Sequence, residues 1–120
     1  MAICSKNPFI IYRYRDTEKI DEFKDESGAL IDLNNYGFVT HIRATKNSPT
    51  ILLELTIGNG GVIINAPSTL GQTTTTITDA QSSALPYGVF YYETYWVTPA
   101  GKKQTVMAGP AVITGSVARP

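Results

Sequence analysis

The side chains that most often carry catalysis are few in this sequence. The chain has one histidine, His41, and one cysteine, Cys4. A catalytic imidazole or thiol needs a neighbouring group that takes, gives or holds a proton, and neither residue has one beside it in the chain. His41 falls on the polar side of a predicted strand, so we interpret it as a surface or packed histidine. Cys4 lies near the N-terminus, and we interpret it as an inert thiol.

The single cysteine also limits the chemistry of the whole chain. It excludes an internal disulfide and a cluster of thiolates around a metal ion. A free thiol is typical of a protein that is made and kept in a reducing cytosol. An enzyme that uses His41 with a carboxylate remains a minor hypothesis, and we predict no catalytic residue and no cofactor.

Carboxylates are concentrated in one stretch, residues 16–26. Lys19 and Lys24 alternate with them, and the spacing does not fit the twelve-residue calcium-binding loop. We therefore interpret this stretch as a solvated face of mixed charge and predict no metal site. The acidic residues in it are Asp16, Glu18, Asp21, Glu22, Asp25 and Glu26.

The strongest strand signal is the aromatic stretch over residues 88–97, which holds the only tryptophan. Aromatic and β-branched residues favour strands, and successive strand residues point to opposite faces. One alternating set is uncharged and is assigned to the core, and the other contains a glutamate and is assigned to a partner-contact face. The core set is Phe90, Tyr92 and Trp96, joined by Phe38 and Ile42 from a strand over residues 38–45. The contact set is Tyr91, Glu93 and Tyr95.

The rest of the chain also indicates short strands separated by turns. Gly58-Asn59-Gly60-Gly61 predicts a hairpin in which residues 62–65 return beside residues 50–57. A threonine tract over residues 72–79 has strand propensity but little to bury, so we predict an edge or intermolecular strand with Thr74 and Thr76 as partner contacts. A second hairpin joins residues 88–97 to residues 104–109, with Pro110 separating them from a last strand. This pattern predicts an all-β sandwich or small barrel.

Length and charge bound the function further. With 120 residues and a formal net charge of +0, the chain predicts one domain without general attraction to nucleic acid or anionic membranes. The first residues do not resemble a signal peptide, and no apolar run approaches the roughly 18 residues of a membrane helix. We expect a flexible arm over residues 1–7, the β-sandwich domain over 8–117 and a short tail over 118–120.

Several segments together resemble a known family. Residues 25–36 (DESGALIDLNNY) lead into residues 38–43 (FVTHIR), and residues 85–93 (LPYGVFYYE) precede a turn at Gly101 and a final strand with GPAVI at 109–113. This pattern is similar to the Ig-like β-sandwich domains of tailed-bacteriophage structural proteins, including the N-terminal domains of baseplate upper proteins. Asn34-Asn35 replaces the Thr-Gly that is usual there. The resemblance covers most of residues 8–117 and implies a single Ig-like antiparallel β-sandwich of about seven to nine short strands.

The resemblance implies a function as well as a fold. It implies a non-enzymatic virion structural protein, an adaptor or decoration component of the tail, baseplate, neck or capsid. Its expected partners are other virion proteins and copies of itself, bound through strand edges and termini, and its expected location is the virion, after assembly in the host cytoplasm. The alternative is a carbohydrate-binding module for receptor recognition, in which Tyr91 with Tyr95, or Tyr12 with Tyr14, stacks on sugar rings.

Overall fold

The structure, a computed structural model, describes residues 9–115, in which nearly all regular structure is β-strand. The predicted arm over residues 1–7, Cys4 and the tail over 118–120 lie outside the described residues. The strands are β1 (Phe9–Tyr12), β2 (Thr17–Glu22), β3 (Gly37–Arg43), β4 (Ile51–Thr56), β5 (Val62–Ile64), β6 (Gln72–Ile77), β7 (Gly88–Val97) and β8 (Lys103–Thr114). A helix α1 (Asp79–Ser83) and a 3-10 turn (Ser68–Leu70) complete the regular elements.

Two sheets face each other across the core. One has five strands in the order β1-β8-β7-β3-β4, and the other has three in the order β2-β6-β5. All pairs are antiparallel except β1 with β8, which run parallel. The predicted all-β sandwich is therefore confirmed. The strand order β8-β7-β3-β4 opposite β2-β6-β5 corresponds to the G-F-C-C′ and B-E-D sheets of a variable-type immunoglobulin domain.

The aromatic strand β7 lies in the middle of the five-stranded sheet, and its bounds match the predicted residues 88–97. Tyr92 and Trp96 point inward and are buried, as are Phe38 and Ile42 on the neighbouring β3. Phe90, nearer the end of β7, is half-buried and packs against the core. The aromatic rings meet edge to face, with Phe9 and Tyr92 at 5.5 Å and Phe38 and Trp96 at 6.3 Å between ring centroids, in the geometry that ring quadrupoles favour.

The predicted hairpin at residues 58–61 is wrong. β4 belongs to the five-stranded sheet and β5 to the three-stranded sheet, so this turn carries the chain from one sheet to the other. At Gly61 the backbone passes so close to Leu55 that an added Cβ would lie 2.7 Å from the Leu55 side chain. Gly61 thus marks a close crossing of two chain segments, which a sequence pattern cannot distinguish from a hairpin turn.

The threonine tract is not an edge strand, contrary to prediction. β6 is the middle strand of its sheet and pairs with β2 on one side and β5 on the other. Its inward residues Thr73, Thr75 and Ile77 are buried, whereas Thr74 and Thr76 point outward and are half-buried. Threonine fits this position because its branched side chain suits a pleated surface and carries a methyl group to the core.

The last two predicted strands form one continuous strand. β8 pairs with β7 over residues 103–113 and passes through Pro110 without a break. Within residues 9–115, the first pair of β1 with β8 is Phe9 with Ala111, so among these residues Pro110 has a paired strand only on the β7 side, a position that proline tolerates. A bulge opposite Thr94 and Tyr95 adds one residue to β8, and Val106 and Met107 are consequently both buried.

Candidate protein-binding face

The outer face of the five-stranded sheet carries the predicted contact residues. Tyr91, Glu93 and Tyr95 of β7 all point outward, and each is half-buried by its neighbours on the sheet. The register places Pro110 beside Tyr91, and Thr105 beside Tyr95, on β8. The outward residues of five strands thus form one broad surface, which has an apolar end and a polar end.

The apolar end is centred on three side chains in register on adjacent strands. Ile10 of β1 lies across from Val112 of β8, and Val112 lies across from Val89 of β7. Val89 is 69% exposed and Ile10 is 44% exposed. Pro110 is next to this row and is also exposed. We call Ile10, Val89, Pro110 and Val112 the apolar patch. Contiguous exposed apolar side chains of this kind mark interaction sites more often than isolated ones do.

A chain of polar contacts crosses the other end of the face. The Arg43 guanidinium lies 3.8 Å from a Glu93 carboxylate oxygen, and the Thr105 hydroxyl donates to Glu93 at 3.2 Å. Arg43 also contacts Nδ1 of His41 at 3.3 Å, and Nε2 of His41 lies 2.8 Å from the Glu54 carboxylate. The contacts join β4, β3, β7 and β8 across this end of the face.

The contacts of His41 indicate which tautomer of the neutral ring fits its surroundings. A guanidinium can only donate a hydrogen bond, so Nδ1 of His41 accepts from Arg43 and carries a lone pair. Nε2 then carries the ring hydrogen and donates a hydrogen bond to the Glu54 carboxylate. Both ring nitrogens are thus used by neighbouring side chains. A general base needs a lone pair that faces its substrate, and in this arrangement His41 offers none.

Tyr95 borders a shallow recess at the polar end. Tyr95, Lys103, Gln104 and Thr105 line an open space of about 340 Å³. The Lys103 ammonium group lies 5.9 Å from the centre of the Tyr95 ring, and the His41 ring meets Tyr95 edge on at 6.0 Å. A tyrosine ring beside hydrogen-bonding groups is an arrangement that suits sugars as well as protein side chains.

The second predicted tyrosine pair does not share a surface of this kind. Tyr12 points outward from β1, but Tyr14 has left the strand and adopts a positive φ of 66°. The Arg13 guanidinium lies over the rings of Tyr14 and Tyr87, at 5.0 and 4.5 Å from their centres. Tyr14 is thus engaged by Arg13 and does not extend a platform with Tyr12.

The predicted contacts Thr74 and Thr76 lie on the outer face of the other sheet. Thr74 is flanked in register by Ile20 of β2 and Ile63 of β5, which are 66% and 52% exposed. Sequence reasoning missed both isoleucines as surface residues. The sequence did contain evidence that Ile20 is exposed. It shares its strand face with Glu18 and Glu22, and glutamates at alternate positions indicate that this face points outward.

The acidic stretch over residues 16–26 is divided by the alternation of β2. Glu18, Ile20 and Glu22 face outward, whereas Lys19 and Asp21 point between the sheets and form an ion pair at 2.6 Å. Beyond β2, the hydroxyl of Ser27 and the backbone N–H of Ala29 lower the pKa of Asp25 below its ordinary value. Within residues 9–115, no three histidine, cysteine or carboxylate side chains converge as metal ligands.

Two further observations bear on the class of the protein. No helix in the described part of the chain has the length and apolar character to cross a membrane. Comparison with protein-family models and with curated proteins finds no match to this sequence. The chain is defined here by its fold, an immunoglobulin-type β-sandwich with an exposed apolar patch on its larger sheet.

Proposed function

We propose that this chain is a non-enzymatic structural subunit that binds other proteins and copies of itself, and that it serves as a component of a bacteriophage virion. The observation that carries the proposal is the apolar patch of Ile10, Val89, Pro110 and Val112. A water-exposed valine with apolar neighbours on two further strands gains free energy when a partner covers it. The virion assignment rests on the sequence resemblance to tailed-phage structural proteins.

The size of the face suits such a role. Five strands of four to twelve residues, roughly 4.8 Å apart and roughly 3.3 Å long per residue, give an outer surface of roughly 600 Å². Standard protein–protein interfaces bury about 600–1,000 Å² on each partner. The polar network of Arg43, His41, Glu54 and Glu93 would then form the rim, where hydrogen-bonding groups set orientation.

The experiment places a charge in the apolar patch. Val89→Lys leaves the core untouched because Val89 points outward, and we expect it to weaken self-association in sedimentation velocity at least tenfold. Ile63→Lys makes the same chemical change on the other sheet and serves as the matched control. A chain that is monomeric at every concentration, and that mass spectrometry does not find in purified phage particles, would contradict the proposal.

A carbohydrate-binding module is the second candidate, and the Tyr95 recess is the observation that favours it. Tyr95 offers a ring, and Lys103, Gln104 and Thr105 offer hydrogen-bonding groups around it. Glycan binding on an array that is lost in Tyr95→Ala and kept in Tyr87→Ala would support this role. An array without binding at high protein concentration removes it.

A further inference from the structure

The four outer strands of the two sheets differ in how well their free edges are protected. An unpaired edge presents backbone N–H and C=O groups that can bind another strand, so proteins shorten, bulge or cover such edges. In the described part of the chain, β1 has four residues and β5 has three, which leaves each a short edge. The remaining edge strands, β4 and β2, have six residues each.

The edge of β4 is covered by the chain itself. The side chain of Asn59 accepts a hydrogen bond from the backbone N–H of Thr56 at 2.9 Å and donates to the carbonyl of Glu54 at 3.0 Å. These are the groups that an added strand would use, since β3 occupies the other side of β4. A register shift near Leu52 further interrupts the edge.

The edge of β2 has no such protection in the part of the chain that the structure describes. β2 pairs with β6 in a continuous register from Thr17 to Glu22 without a bulge. The bond from Phe23 N–H to the Gly71 carbonyl, 2.7 Å, shows that the odd-numbered residues face β6. By the alternation of an antiparallel ladder, the backbone groups of Glu18, Ile20 and Glu22 therefore point to the open side.

The side chains along this edge define what it can bind. The outward row is Glu18, Ile20 and Glu22, so an exposed isoleucine stands between two carboxylates. Lys24 approaches Glu22 at 3.5 Å, but the pair is close to half exposed on both sides and is screened by solvent. An added strand with an apolar residue opposite Ile20 and basic residues at the alternate positions on either side would match this row.

The same charges disfavour a second copy of this chain. In an antiparallel pairing of two β2 strands with Ile20 opposite Ile20, each Glu18 would face Glu22 of the other copy. Like charges directly opposite each other destabilise a strand pair. This register of two copies is thus disfavoured, whereas a segment with basic residues at these positions is favoured.

We propose that the free edge of β2 binds an extended segment of a partner protein by strand addition, and that the segment carries basic residues on both sides of an apolar one. This inference rests on the proposed function as a protein-binding subunit and names the chemistry of one partner. It uses the three-stranded sheet, whereas the apolar patch lies on the five-stranded sheet. Backbone hydrogen bonds supply the binding, and Glu18, Ile20 and Glu22 supply the selectivity.

The test uses two synthetic peptides, Thr-Lys-Thr-Ile-Thr-Lys-Thr and the same peptide with glutamate in place of lysine. Binding is followed by NMR titration of the full chain at low and moderate salt. We expect the lysine peptide to bind roughly ten- to thirtyfold tighter, from two attractive pairs replacing two repulsive ones. We also expect the amide protons of Glu18, Ile20 and Glu22 to shift and to become protected from exchange, and the preference to shrink at higher salt.

Two variants separate strand addition from general charge attraction. Ile20→Pro removes the backbone N–H of residue 20, which points to the open edge and makes no hydrogen bond to β6. The variant should therefore fold normally but no longer bind the peptide. Glu18→Lys with Glu22→Lys should reverse the preference towards the glutamate peptide. Thr50→Lys, an exposed position just before β4 on the other sheet, is the charge control and should leave the preference between the two peptides unchanged.

Two results with the peptides would overturn the inference: equal binding of the two peptides, or binding that is retained in Ile20→Pro. A third result would also overturn it. If the NMR signals of Ile20 shift with protein concentration in the absence of peptide, a second copy of the chain occupies the edge. None of these depends on the apolar patch. If Val89→Lys disrupts assembly while the peptides fail, the edge inference is wrong and the proposed function stands. If the peptides bind as expected while the chain stays monomeric and absent from particles, the virion proposal is wrong and the edge site stands.

Discussion

The ammonium group of Lys19 lies 2.6 Å from the carboxylate of Asp21, and both side chains point from β2 into the space between the sheets. The same ammonium group is 3.3 Å from the sulfur of Met107 and 5.4 Å from the centre of the Tyr92 ring. Each charged side chain is about 15% exposed. The pair therefore closes the side of the sandwich with groups that are only partly hydrated.

Removal of one partner of this pair should destabilise the fold. Lys19→Met leaves the Asp21 carboxylate largely buried without its counter-charge, and we expect a loss of about 1–3 kcal/mol in the free energy of unfolding. The double variant Lys19→Met with Asp21→Leu removes both charges and should recover most of that loss. Urea unfolding of the natural chain, Lys19→Met, Asp21→Leu and the double variant completes a double-mutant cycle, which measures the coupling. Equal stability of Lys19→Met and the natural chain would show that solvent already hydrates the pair.

A second prediction concerns the close crossing at Gly61. Gly61→Ala would place a methyl group 2.7 Å from the Leu55 side chain and 2.9 Å from its Cα. The crossing must then widen, which should cost about 1–3 kcal/mol in thermal or urea unfolding. Gly58→Ala is the matched control in the same turn, because its added Cβ would have only the Thr56 hydroxyl near it, at 3.7 Å. A loss as large in the control would mean that chain flexibility in the turn matters more than the contact with Leu55.

How far the sequence predicts the fold depends on which interactions decide each element. The bounds and faces of β7 follow from the alternation of residues 88–97. A strand that buries one face needs core residues at every second position, and that repeat is visible in the sequence. The place of β6 in the middle of its sheet does not follow, because threonine fits edge and central strands alike and the choice is made by pairing with β2 and β5. The crossing at Gly61 likewise depends on how closely the chain folds back onto Leu55 of β4.

The candidate site likewise has features that local sequence predicts and features that depend on strand pairing. Alternation alone placed Tyr91, Glu93 and Tyr95 on the outer face of β7. The apolar patch was not predicted, because it arises from the register of three strands, with Ile10 brought beside Val112 by a parallel pairing between the two ends of the described chain. The open edge of β2 likewise depends on which strands the other described residues place beside it. These are properties of pairing, which local sequence does not encode.

A third prediction concerns the pH dependence of stability at Asp32. Its carboxylate accepts hydrogen bonds from the Ser68 hydroxyl at 2.7 Å and from the backbone N–H of Asn34 at 3.0 Å. These bonds lower the pKa of Asp32 from its ordinary value of 3.8. A group whose pKa is lower in the folded state stabilises the fold above the ordinary value, and this stabilisation is lost as the pH falls through the folded pKa.

Ser68→Ala tests this relationship. Without the hydroxyl donor, the pKa of Asp32 should rise towards 3.8, which NMR titration of the carboxyl carbon measures directly. The variant should be less stable than the natural chain at neutral pH, and the difference should shrink in acid, where both proteins carry a protonated Asp32. Ser48→Ala, in another turn, is the control and should leave the titration of Asp32 unchanged. A titration that is identical in Ser68→Ala would show that the Asn34 backbone alone sets this pKa.

The last prediction concerns Asn59, whose side chain substitutes for a neighbouring strand on the edge of β4. Its carbonyl oxygen accepts from the backbone N–H groups of Thr56 and Gly61, both at 2.9 Å, and its amide donates to Glu54. Asn59→Ala removes all of these bonds, and we expect a loss of about 1–3 kcal/mol in the free energy of unfolding.

The same substitution should also expose the β4 edge, so aggregation on heating should increase, as light scattering measures. Asn59→Asp keeps the acceptor oxygen and loses only the donor to Glu54. It should therefore lie between the natural chain and Asn59→Ala in both measurements. If Asn59→Ala loses stability without more aggregation, the side chain supports the turn but does not protect the edge, because the shifted register near Leu52 would then be sufficient to block strand addition.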